Sequence, residues 1–184
     1  GGRIEVVKRN LEAVAAELRR TGSDPRLVVL YHQYRNNAQE SEAVREYAAG
    51  LGAEFLAYPA FFAPVEKLLD LVGGGYEATP EERHVLDNLI YSPFRLPQVP
   101  PAVRETFCAL QEQSLSVDVH GRVSLCCATF TDGFVVGDVL EDSLEEIQAR
   151  RDRHPYCSRC KAVSANMFYT RMEKLMEVPC ARQG

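Results

Sequence analysis

Cys108-x12-Gly121-x4-Cys126, followed after a gap by Cys157-Ser158-Arg159-Cys160, is the stretch around which this chain is organised. A Cys-x2-Cys pair brings two thiolates close enough to share a metal centre. A second pair returned by a hairpin can close the other side of a tetrahedral site. Four thiolates suit either a structural zinc ion or an iron–sulfur cluster, and spacing alone leaves both open. The candidate metal ligands are therefore Cys108, Cys126, Cys157 and Cys160.

The hairpin can be worked out from its side-chain alternation. Leu115, Val117 and Val119 alternate with Ser116 and Asp118, and Val123 and Leu125 flank Ser124. A two-residue loop at His120-Gly121 would set Val123 opposite Asp118. A three-residue loop, Val119-His120-Gly121, pairs Val117 with Val123 and Leu115 with Leu125, so both apolar rows share one face. That loop requires a left-handed residue at its end, which Gly121 supplies. Further on, Ser143-x-x-Glu146 forms a capping box for a helix with Leu144 and Ile147 inward. A last helix is expected from about Ala162 to Met176, with Met167 and Met172 as core rather than as ligands.

Before the cysteines the pattern is different. Val7, Leu11, Val14, Ala15 and Leu18 make a helical stripe, and Leu27–Tyr31 is a continuous apolar run expected to be a strand buried on both faces. Asn37-x-x-Glu40 suits a capping box for a helix burying Val44, Tyr47, Ala48 and Leu51. A second strand, Phe55–Tyr58, and a helical stripe from Phe61 to Val72 follow. Helix, strand, helix, strand, helix describes successive βα units of an α/β fold. Two such strands do not make a stable sheet, so the rest of a barrel or sheet is expected from elsewhere. His32–Asn36 stands where α/β folds place ligand contacts, and is equally ordinary loop content. Gly73-Gly74-Gly75 lacks the Lys-Ser/Thr of a phosphate loop and reads as a helix stop. Four prolines between Tyr91 and Pro101 disfavour a helix or central strand and suggest a semi-rigid link.

The chain has 184 residues, 46% hydrophobic and 26% charged, with net charge −5. No apolar run approaches the length of a membrane helix, and the start has no secretory leader pattern. These features point to the cytoplasm and to no membrane partner. Six cysteines in that setting favour metal or redox use over disulfides. The basic cluster Arg150, Arg151 and Arg153 reads as a solvated helix face, so no nucleic-acid partner is expected. A thioredoxin-like role for Cys157-x2-Cys160 fits poorly, because such a motif follows a strand and this one follows a helix and His154-Pro155.

With these residues in view, the cysteine pattern resembles the SPASM/twitch extension of radical S-adenosylmethionine enzymes. Val135–Val139 before Ser143–Ile147 resembles the stretch between that extension's cysteine pairs, and Arg26–Tyr58 resembles the last two βα units of the partial barrel. The resemblance implies three regions: residues 1–92, the C-terminal part of a radical SAM barrel; 93–102, a Pro-rich linker; and 103–184, a small α+β SPASM/twitch domain with a β-hairpin and helices. A full SPASM domain has further cysteines where Asn166 and Thr170 stand here, so the resemblance implies the shorter twitch form. It would hold one auxiliary [4Fe–4S] cluster on Cys108, Cys126, Cys157 and Cys160, leaving Cys127 and Cys180 as buried thiols. The Cys-x3-Cys-x2-Cys pattern that binds the catalytic cluster is absent from the chain. By this resemblance the chain is inactive alone. It is the C-terminal portion of a longer enzyme whose other barrel half carries S-adenosylmethionine and a second [4Fe–4S] cluster. An auxiliary cluster would there relay an electron in the oxidation or modification of a peptide or small-molecule substrate. A zinc-stapled interaction module is the other reading of the same four cysteines.

Overall fold

The computed structural model describes residues 3–22 and 25–177, and it divides into two compact units, Gly1–Ala60 and Phe61–Gly184. In the first unit, α1 (Ile4–Thr21) ends on Gly22 in the left-handed conformation, φ 61°. Then β1 (Val28–Gln33), α2 (Ser41–Gly50) and β2 (Glu54–Pro59) follow, with β1 and β2 parallel, Leu30 beside Leu56. This is the expected strand–helix–strand unit.

Three details differ from expectation. Strand β1 is not buried on both faces: Val28 is 38% and Leu30 56% exposed, while Val29 and Tyr31 on the other face are partly covered. A two-stranded sheet packed by α2 has only one face to bury. In α1, Ala15 is buried but Val7 and Val14 are exposed, for the same want of a second layer. Asn37 forms no capping box. Its Oδ1 accepts from the Tyr34 N–H at 2.7 Å and its Nδ2 donates to the His32 carbonyl, closing the loop after β1, and a 3₁₀ turn then leads into α2.

The second unit starts with α3 (Val65–Val72) and α4 (Pro80–Asn88). Helix α4 has a capping box of its own, Thr79 with Glu82. The proline-rich stretch does not separate compact units as expected. It folds into 3₁₀ turns at Pro93–Gln98 and Pro101–Val103, and it buries Tyr91, Leu96 and Val99. Proline limits regular structure through its missing N–H, but it does not stop a turn from packing. The division between units accordingly falls at Ala60/Phe61 and not near residue 92.

After α5 (Ala109–Glu112) comes an antiparallel sheet of β3 (Ser116–Val117), β4 (Arg122–Ser124) and β5 (Val135–Asp138). The β3–β4 register pairs Val117 with Val123, and Gly121 has φ +87°, as the three-residue loop demands. Strand β5 stands where Gly133 and Gly137 suggest a loop. Gly137 is instead a close-packing position: a Cβ there would lie 2.8 Å from Ile147 Cγ1.

Helix α6 (Leu144–Asp152) opens on the predicted Ser143/Glu146 capping box. Ile147 is buried, with Val123, Leu125 and Val136 around it, whereas Leu144 is 65% exposed. Asp142 locks α6 to β5: both its oxygens accept from the Arg150 guanidinium at 2.7 Å, and Oδ2 also accepts from the Asp138 N–H. The Arg150 guanidinium chiefly, then the Asp138 N–H, holds the Asp142 carboxyl at about 2. Because that value lies below the ordinary carboxylate range, the unfolded chain binds more protons between the two. Stability from this carboxylate is thus complete above the ordinary range and is lost as pH falls toward 2. Asp142→Asn is expected to lower the urea midpoint at neutral pH, the gap from wild type closing as pH falls through that window; a pH-independent gap would show that the charge is not responsible.

The chain ends in α7 (Pro155–Ala162), α8 (Ala165–Thr170) and α9 (Met172–Glu177). The single helix expected from Ala162 to Met176 is broken twice, at Ser164 with φ +62° and at Arg171. Met167 and Met172 are core, as anticipated. No helix among the described residues is long and apolar enough to cross a membrane.

Candidate metal centre

Three separate elements deliver the four cysteines. Cys108 stands at the N-cap of α5, where its N–H donates to Glu112 Oε1 at 3.1 Å. Cys126 lies just past β4, in a loop whose turn is closed by the Thr129 hydroxyl donating to the Cys126 carbonyl at 2.8 Å. That loop is fastened to the start of α3: Val65 N–H donates to the Ala128 carbonyl, and Phe130 N–H to Glu66 Oε1. Cys157 and Cys160 sit three apart on α7, hence on one helical face. His154 caps this helix, its Nδ1 accepting from the Tyr156 N–H.

All four cysteines line a single pocket, together with Gln111, Tyr156, Asn166 and Tyr169. Burial is the main cause of the raised Cys126, Cys157 and Cys160 thiols, and their cysteine neighbours add to it. Cys157 is pushed up to about 11. Burial therefore favours the protonated form of these three thiols, and a metal that enters must displace their protons. No group of three or more His, Cys, Asp or Glu among the described residues is placed to hold a single metal ion. The four line the walls of a shared space.

The pocket also contains unmet polar groups. Gln111 Oε1, Tyr156 Oη and Asn166 Oδ1 are buried without a hydrogen-bond partner, and all three residues line it. Of the three atoms, only the phenol oxygen can donate. Donor set and burial fit an iron–sulfur cluster. Asn166, at a position where the longer cysteine pattern would have a thiol, has another use. Its Nδ2 donates to the Glu105 and Phe107 carbonyls at 2.9 and 3.1 Å, which fastens the approach to Cys108 onto α8.

Residues 108–161 match the family model described as SPASM, an iron-sulfur cluster-binding domain. The chain contains a SPASM domain. The match begins on Cys108 and takes in every cysteine of the pocket. Comparison with curated proteins gives no match, and neither does comparison with solved structures.

Within the SPASM domain, Cys127 is exposed rather than buried as expected, because the loop after β4 points only Cys126 into the pocket. Cys180 lies outside the described residues. Arg151 does not belong to a solvated face: it is 2% exposed. Its helical phase carries the signal, since Arg151 follows the buried Ile147 by four residues and so shares its side of α6.

Proposed function

We propose that this chain is the auxiliary-cluster portion of a radical S-adenosylmethionine enzyme, with one [4Fe–4S] cluster on Cys108, Cys126, Cys157 and Cys160. The observation that carries the reading is the convergence of those four cysteines, from three elements, on one pocket inside the SPASM match. A cluster has a volume of its own and sets its ligands apart around it. That suits thiols placed on the walls of a pocket better than a lone tetrahedral zinc, whose thiolates would stand about 3.8 Å apart at ordinary Zn–S lengths.

Bound there, the cluster would supply one-electron transfer to the oxidation or modification of a peptide or small molecule. The protein's part is to hold the four sulfurs and to keep water away with Leu125, Tyr156 and Tyr169. Burial, and next the neighbouring Cys160 and Cys126, push the Tyr169 phenol up, so it stays neutral while donating to the Phe62 carbonyl at 2.6 Å.

The parallel β1–α2–β2 unit supports reading residues 26–58 as the last βα units of a partial barrel. Its two strands have no third strand beside them among the described residues, and one face carries exposed Val28, Leu30 and Tyr58. In this reading the other barrel half, with S-adenosylmethionine and its own cluster, completes the enzyme, and this chain alone is inactive. The setting in this reading is the cytoplasm.

Anaerobic purification followed by iron, sulfide and zinc analysis tests the reading. About four iron and four sulfide per chain are expected for one such cluster. Stoichiometric zinc without sulfide would establish the zinc staple instead.

A further inference from the structure

We infer that Arg151 is the buried counter-charge of the cluster site, a positioning residue that raises the cluster's reduction potential. This rests on the cluster reading given above. The guanidinium is 2% exposed, yet it belongs to none of the ion pairs among the described residues. Its neighbours show the contrast. Exposed Arg150 is paired with Asp142, while the Asp152 carboxylate is taken up by the side-chain amides of Gln111 and Gln148.

Arg151 donates only to neutral oxygens. Nε reaches the Leu125 carbonyl at 3.2 Å, one terminal nitrogen reaches the Leu110 and Ser114 carbonyls at 2.6 and 2.9 Å, and the other reaches Gln148 Oε1 at 3.1 Å. Carbonyl dipoles and the C-terminal end of α6 satisfy its hydrogens and offset part of its charge. They do not cancel a full unit charge out of water, and a buried ion normally has an opposite one near it. The carbonyls it holds identify where that charge would be. Leu125 precedes Cys126, Leu110 follows Cys108 by two residues, and both leucines line the four-cysteine pocket.

A [4Fe–4S] core with four thiolates is anionic, and gains one further negative charge on reduction. A fixed cation behind the pocket wall therefore stabilises the reduced form more than the oxidised one, and net charge near the cluster is one of the levers on its potential. A residue that merely stapled α6 to the cysteine loops would lack this effect.

The test uses anaerobically reconstituted whole chain, with dithionite as titrant. Wild type, Arg151→Lys, Arg151→Gln and the exposed-charge control Arg153→Gln are compared by iron and sulfide content and by midpoint potential. We expect Arg151→Gln to shift the midpoint to more negative values, and Arg151→Lys and Arg153→Gln to stay at the wild-type value. An unshifted Arg151→Gln midpoint at full cluster content would overturn the inference. Should the glutamine variant not fold, Arg151→Met takes its place: a more negative midpoint upholds the charge role and an unshifted one refutes it. Loss of cluster in both Arg151 variants would leave Arg151 a structural staple only, again refuting it. Zinc without sulfide in the wild type is a separate outcome, which removes the cluster reading itself.

Discussion

Cys160→Ala is expected to strip the protein of its iron and sulfide while leaving the metal-free fold standing. Cys160 is one of four sulfurs in the pocket, delivered by α7 alongside Cys157. A cluster with three protein thiolates loses one iron–sulfur bond and opens an iron to solvent. No other thiol lines the pocket to replace the sulfur. In the metal-free chain the same change removes one sulfur atom from a partly buried position, which costs about 1 kcal/mol in lost contact. The two effects separate cleanly. Iron per chain and the visible charge-transfer absorption should fall to near background, whereas the far-ultraviolet circular dichroism of the metal-free variant should match wild type. The same loss is expected for alanine at Cys108, Cys126 or Cys157. Cys127→Ala should keep its cluster because that thiol is exposed, and so should Cys180→Ala. Full cluster content in Cys108→Ala would overturn the ligand set.

Ile147→Ala is expected to lower the stability of the second unit by about 2–5 kcal/mol, the range for removing a buried aliphatic side chain. Ile147 is fully buried between Val123, Leu125 and Val136, and Phe134, Tyr156 and Cys157 pack onto this cluster. One side chain thus joins the hairpin, β5 and the helix that presents two of the four cysteines. Truncation leaves a cavity in the apolar cluster that Cys157 packs against, as well as lost transfer energy, so retention of the iron–sulfur cluster should suffer along with stability. Urea unfolding of the metal-free protein gives the first quantity, and the half-life of the visible absorption in air gives the second. A loss below about 1 kcal/mol would mean that the surroundings collapse to fill the space. Gly137→Ala presses on the same atoms from the opposite side, with its Cβ 2.8 Å from Ile147 Cγ1 and 2.9 Å from Asp142 Oδ2. It too should destabilise, by overpacking.

The elements most legible in advance are those governed by short-range rules. The hairpin register follows from alternation and from the need for a left-handed glycine, and Val117 does stand opposite Val123 with Gly121 at φ +87°. The Ser143/Glu146 box and the methionine core are legible for similar reasons. Errors gather where distant contacts outweigh local preference. Proline content around residues 91–101 speaks against regular structure but carries no information on packing, and Leu96 is wholly buried there. Gly137 suggests a loop because its reason for being glycine, the approach of Ile147, lies ten residues away. Arg151 looks solvated because charge dominates composition, although its helical phase with Ile147 places it inside.

What the sequence by itself determined is a candidate donor set: four thiols at spacings that a Cys-x2-Cys helix face and a Gly-closed hairpin can bring together. Those are properties of side-chain chemistry and of local backbone geometry, and they need no distant partner. Only the tertiary structure decided that the four share one pocket, that Asn166 ties down the approach to Cys108, and that a guanidinium is buried behind the pocket wall without a carboxylate. These depend on segments up to 61 positions apart, where loop closure and burial, not residue preference, set the outcome.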